Sequence, residues 1–177
     1  MFLINALASA VLSILALSDL RRRRLPNATV AGFAALYFLH AWLGGESRAG
    51  IEAHAATGAA ALVLAALLFR FGWLGGGDAK LFAAVFLWTG PAYAATVFFI
   101  VSLAGLILAM VQLGAGRIGR VRAAESKLQW LAPARGVPYG VALAIGGLAA
   151  VWLPLTLAHA APLQHMASQF PIHARPI

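Results

Sequence analysis

The sequence predicts an all-α integral membrane protein of about six transmembrane helices, on three observations. The 177-residue chain is 62% hydrophobic and only 10% charged, a poor composition for a fold that faces water on all sides. Its apolar residues fall in runs long enough to cross a bilayer. Its net charge of +8 is gathered in short stretches between those runs, where basic residues orient a chain in a membrane. Such a charge points to anionic lipid as a partner and not to nucleic acid, because no soluble basic domain exists to form an interface. The chain has no cysteine, which excludes disulfides, thiolate catalysis and zinc–cysteine sites.

The elements follow in order. The first apolar segment covers 2–20 and runs into "RRRRLPN". Its basic residues follow the apolar stretch, the reverse of a cleavable signal, so the segment is expected to stay in place. The second covers 28–43 and ends at "GGESRAG", and the third covers 51–69 and ends at "RFGWLGGG". The fourth, 78–90, is short and stops at "TGP"; the fifth, 91–113, leads into a long basic stretch. The sixth covers 138–158 and opens on Pro138, a residue tolerated in a first helical turn. Residues 1–158 are expected to form one membrane domain, and 159–177 a loosely ordered tail.

Orientation follows from the basic residues. With the N-terminus outside, 11 of the 13 Lys and Arg fall in inner loops, and only Arg48 and Arg175 fall outside. Trp42, Trp73, Trp88 and Trp152 fall near the ends of the expected helices, where tryptophan sits at a membrane interface.

The two aspartates of the chain, Asp19 and Asp78, then come to one side, the cytoplasmic one. Asp19 closes the first segment and Asp78 opens the fourth. A thirteen-residue helix spans only about 20 Å of a core about 30 Å thick, which sets Asp78 below the lipid surface beside a cavity. The glycines of "LGGGDAK", 74–80, allow unusual backbone angles and close approach of another chain. Two carboxylates around a cavity can hydrolyse a peptide bond with water as nucleophile: one, ionised, takes a proton from water, and the other, protonated, polarises the carbonyl. Neither metal nor cofactor is needed. The bland readings are an ion pair of Asp19 with Arg22 or Arg23, and a helix cap at Asp78. Carboxylates at membrane depth point to function by default.

Gly75-x-Gly77-Asp78 resembles the GxGD signature of intramembrane-type aspartic proteases, and Asp78-Ala79-Lys80-Leu81 resembles prepilin leader peptidases more narrowly. Asp19, Arg23 and Leu25-Pro26-Asn27 agree with the same family, as does Pro138-Tyr139-Gly140. The length is similar to the short peptidases of tight-adherence (Flp) pili and related secretion systems. The resemblance implies that Asp19 and Asp78 are the catalytic pair, with Gly75, Gly77, Lys80, Arg23, Pro26, Asn27, Pro138, Tyr139 and Gly140 binding substrate or supporting the site. It implies as substrate a prepilin or pseudopilin, cut at the cytoplasmic face of a bacterial inner membrane between a short basic leader and an apolar helix, typically after a glycine. Larger relatives carry an N-terminal region, often with zinc-binding cysteines, linked to N-methylation; methyl transfer is not expected here.

Other residues lead elsewhere. Arg21 to Arg24 read as a topological anchor, and Lys80 as an interfacial lysine or a neighbour that tunes Asp78. His40, His54, His159, His165 and His173 fall on the outer side without metal-ligand spacing, and Glu46 and Glu52 read as outer loop residues. A proton-coupled transporter would also use paired carboxylates, but at the midplane and between paired broken helices. A non-catalytic membrane subunit of a secretion system is the remaining alternative. The sequence leaves the oligomeric state open.

Overall fold

The structure, a computed structural model, describes residues 1–118 and 137–169, with side chains for 1–114 and 137–154. The described residues form five helices and no strand: α1 (Phe2–Arg22), α2 (Asn27–Leu43), α3 (Arg48–Arg70), α4 (Gly76–Ile118) and α5 (Tyr139–Gln169). Three stretches among them are long and apolar enough to cross a membrane: Phe2–Arg22, Arg48–Arg70 and Gly76–Gly114; Tyr139–Pro154 is a shorter apolar helix. The helical membrane class therefore holds. The fourth and fifth expected segments, 78–90 and 91–113, are the two arms of α4, which run together across a kink.

The arms, 76–89 and 91–118, meet at Gly90, whose φ of 62° and ψ of 179° are not helical. Pro91 follows it, as suits a first helical position. Val85 on the first arm approaches Gly147 of α5, and Val101 on the second approaches Gly146. Gly105, further along the second arm, lies against the Tyr139 ring at the start of α5. The second arm thus returns toward the end from which the first set out.

Two constraints make residue 90 a glycine. Its backbone angles are open to glycine almost alone, and a Cβ there would overlap the His54 ring. Gly90→Ala is expected to lower stability by about 1–3 kcal/mol, read as a fall in the thermal midpoint in detergent. Gly114→Ala, where a Cβ would meet nothing within 4 Å, should leave the midpoint close to the parent value. Equal midpoints for both variants would contradict the bend at Gly90.

Local chemistry sets the helix ends. Arg23 caps α1 in the left-handed region, φ 51° and ψ 36°, and its N–H donates to the Asp19 carbonyl at 2.9 Å. Arg21 and Arg22 occupy the last turn, where the helix dipole favours cations. Pro26 precedes α2 with extended angles, and its carbonyl accepts the N–H groups of Thr29 and Val30. The Ser47 hydroxyl accepts the Gly50 N–H and starts α3 three residues earlier than expected. α5 runs through Gln169, so part of the stretch expected to be a tail is helical.

The core lies where α1, α2, α4 and α5 converge, around Leu12, Phe33, Tyr37, Leu81, Val85 and Leu143. Small residues let the helices close up: Gly58 of α3 lies against Leu87, and Gly147 of α5 against Leu12 and Val85. The outward faces of α1, α3 and α4 carry large apolar side chains such as Leu3, Val63 and Phe99, as lipid contact requires. Trp42 and Trp73 are exposed near helix ends, as expected of interfacial tryptophans. Trp88 is different: it is buried, stacks on Phe33 at 5.5 Å, and donates its indole N–H to the Phe33 carbonyl. Trp152 is half-buried and donates to the Ser9 hydroxyl of α1.

Candidate active site

Asp19, in the last turn of α1, is buried although it carries a carboxyl group. The backbone N–H groups of Gly140 and Val141, in the first turn of α5, are directed at its carboxylate. First-turn amides have no partner inside their own helix, which makes the Gly140 N–H a ready donor to an acid, whereas the Val141 N–H also meets the Pro138 carbonyl at 3.1 Å. The fit is tight: a Cβ on Gly140 would stand 2.9 Å from Asp19 Cγ and Oδ2 and 3.0 Å from its Cβ. Asp19 Oδ2 is buried with no hydrogen-bond partner among the described residues. A buried acceptor left this way costs free energy unless another group completes it.

Asp78 lies in the first turn of α4 and is half-buried. It is within electrostatic reach of Asp19 and Arg23, although 59 residues separate the two acids in sequence. Tyr139 is close enough to feel the charge of Asp78. Gly75 sits under the carboxylate, where a Cβ would be 2.9 Å from Asp78 Oδ2. Gly77 admits the Leu25 side chain, which a Cβ would approach to 3.3 Å. The loop after α1 is thereby pressed onto the start of α4, and Ser18 Oγ secures it by donating to the Arg24 carbonyl at 2.7 Å.

The glycine-rich stretch therefore differs from the expected flexible loop. Gly76 and Gly77 belong to the first turn of α4, and Gly75, Gly76 and Gly77 are not among the residues with positive φ. Their value is closeness and not unusual angles. The helix also starts at Gly76, two residues before the expected boundary.

Arg23, Asp19, Asp78, Gly75, Tyr139 and Gly140 thus form one cluster at one end of the bundle. Pro138, fully buried, accepts the Val141 N–H and sets the entry of α5. The anchor reading of the arginine run changes at one position: Arg23 is half-buried and within electrostatic reach of both acids, while Arg21, Arg22 and Arg24 are exposed. Lys80 and Asn27 stand apart. Lys80 Nζ donates to Asn27 Oδ1 at 3.0 Å, and both residues line an apolar groove of about 480 Å³ between α2, α3 and α4.

One contributor escaped the sequence reading: the Val141 amide is a backbone donor and leaves no trace in residue type. Leu25 was part of the Leu25-Pro26-Asn27 motif, but its contact with Gly77 was not foreseen. Among the described residues no group of three His, Cys, Asp or Glu side chains could hold a metal ion.

A sequence model of the type IV leader peptidase family matches residues 6–110, more than half of the chain and a span that holds both aspartates. The chain belongs to the type IV leader peptidase family. The leader-peptidase match ends before Pro138-Tyr139-Gly140, and it is the fold that sets this stretch against Asp19. No curated protein and no solved structure gives a match.

Proposed function

We propose that the protein is an aspartic endopeptidase that removes the leader from prepilins or pseudopilins, with Asp19 and Asp78 as its catalytic pair. The observation that carries the reading is the cluster itself: within a leader-peptidase chain, two carboxylates from different helices share one end of the bundle, and Asp78 lies within electrostatic reach of Asp19. In the working state the two acids hold one proton between them, so that one is ionised and the other protonated. The ionised carboxylate takes a proton from water as the oxygen attacks the scissile carbonyl. The protonated one hydrogen-bonds the carbonyl oxygen as negative charge grows there. Collapse of the tetrahedral intermediate breaks the C–N bond, and the new amine leaves with a proton from the dyad. Gly140, Val141 and Arg23 hold Asp19 in place, and Gly75 makes room for Asp78. No metal or cofactor takes part, and N-methylation of the product is not part of the reading.

The site faces the cytoplasm of a bacterial inner membrane, which the excess of basic residues at its end supports. There it meets a short basic leader followed by an apolar helix, and the cut follows a glycine. The reading assigns the substrate to a tight-adherence (Flp) pilus or related secretion system. Residues 1–158 form the peptidase domain, and lipid surrounds it.

Two experiments test this reading. Co-expression with a leader-bearing substrate should shorten the substrate, with N-terminal sequencing placing the cut after the glycine; an unshortened substrate would count against it. The absence of native cysteine permits clean labelling. Ser47→Cys, at the other end of the bundle, should react with an impermeant thiol reagent in intact cells, while Trp73→Cys, in the loop before α4, should be shielded until the cells are opened. The reverse pattern would place the site outside.

A further inference from the structure

α2 and α3 are joined by a short turn and both pack on α4, yet they scarcely meet each other. The space between them is the groove of about 480 Å³, with the first arm of α4 as its floor. Small side chains keep it open: Ala31 and Ala34 from α2, Ala55 and Ala59 from α3, and Ala83 from α4. Ala31, Ala55 and Ala59 are exposed, so the groove opens on the outer surface of the bundle, where lipid lies.

One end of the groove is polar. Lys80, in the second turn of α4, and Asn27, the first residue of α2, line it at the aspartate end of the bundle. Lys80 Nζ donates to Asn27 Oδ1 at 3.0 Å. That contact makes Nδ2 the remaining donor of the amide, and the ammonium keeps two more hydrogens. Among the described residues no carboxylate forms an ion pair with Lys80. The cation that acts on Asp78 is Arg23. Lys80 follows Asp78 by two positions, about 200° around the helix, and so looks away from the acids.

Length and charge together select an occupant. The groove follows α2 from Asn27 to Phe38, roughly 16 Å of helix, close to half of a hydrocarbon core about 30 Å thick. One acyl chain of one leaflet has that reach, whereas a membrane-crossing helix needs the whole depth. The donors at the polar end call for an anion where the headgroups of that leaflet lie. The same lysine repels a basic leader.

We propose that the groove holds one acyl chain of an anionic phospholipid from the leaflet at the aspartate end, its phosphate bound by Lys80 and Asn27. A choline headgroup carries its own cation beside the phosphate and gains less from the lysine. The site lies on the face of α4 away from the two aspartates and does not rest on the proposed peptidase activity.

Native mass spectrometry of the purified full chain tests it, with phosphatidylglycerol and phosphatidylcholine of the same acyl chains supplied in equal amounts. One phosphatidylglycerol should be retained, about fivefold more tightly than phosphatidylcholine. Lys80→Gln should remove that preference, while Arg22→Gln, which removes an exposed charge outside the groove, should keep it. Ala59→Phe, an exposed position where the ring would occupy the groove, should lower retention of both lipids. Circular dichroism checks that each variant is folded. The proposal is overturned if the parent shows no preference, if Lys80→Gln keeps it, or if folded Ala59→Phe retains phosphatidylglycerol as the parent does. Release of the lipid by a leader–helix substrate added to the Asp78→Asn protein would give the groove to the substrate and also overturn it.

Discussion

Asp19→Asn and Asp78→Asn are each expected to lower leader cleavage by at least ~10²-fold, the lower scale for a positioned acid–base group, while the protein still inserts and folds. Asparagine keeps the shape of the carboxyl group but can neither take a proton from water nor supply one to the carbonyl oxygen. The two losses should not add. Each variant breaks the same dyad, so the double variant should be about as inactive as either single one. Cleavage rates of purified variants, with circular dichroism as a check on folding, measure this. Normal cleavage by Asp19→Asn would mean that Asp19 only closes α1. Multiplying losses would mean that the two acids act independently.

Gly140→Ala comes next in expected effect, and it changes no chemical group. The added methyl would lie 2.9 Å from the Asp19 carboxyl carbon, a distance that real Cβ contacts do not tolerate. The neighbour is a short, buried side chain one bond from its own backbone, so it cannot swing clear as the tip of a long residue would. Either Asp19 turns away or the start of α5 retreats, and both disturb the donors that hold the carboxylate. A displacement of about 1 Å at a reacting group can cost 10²-fold in rate, and a loss of that order is expected here. Gly32→Ala is the control: it also lies in a helix, where a Cβ would meet nothing within 4 Å, and alanine there should be neutral or mildly stabilising. Equal activity of Gly140→Ala and the parent would show that the entry of α5 does not position Asp19.

The sequence carried much of this arrangement, for reasons that separate into kinds. Apolar runs and loop charges gave the helical membrane class because lipid imposes both directly. The two aspartates stood out because buried acids are expensive, and a chain with only two of them at one predicted depth offers few alternatives. The break at Gly90-Pro91 was legible in the sequence, where one apolar segment ends at 90 and the next opens at 91, because glycine and proline mark the interruption. The glycines at 75–77 were assigned to unusual backbone angles and to close approach of another chain; the unusual angles are absent, and the closeness is to Leu25 and the Asp78 side chain. Trp88 illustrates the same limit: it was grouped with tryptophans at helix ends, yet its contacts with Phe33 draw it into the core. Glu46 and His54 looked unrelated, eight positions apart across a turn, until the fold brought His54 Nε2 to 3.7 Å from Glu46 Oε1.

The central claim is that this chain by itself hydrolyses a peptide bond between a basic leader and an apolar helix. Mass spectrometry of a synthetic leader–helix substrate, incubated with the purified protein in detergent and a metal chelator, tests it most directly. The account predicts two products, the leader ending in glycine and the helix with a free, unmethylated amine, formed by the parent protein and absent with Asp78→Asn. An intact substrate after incubation with folded parent protein, or equal cleavage by the Asp78→Asn variant, would contradict it.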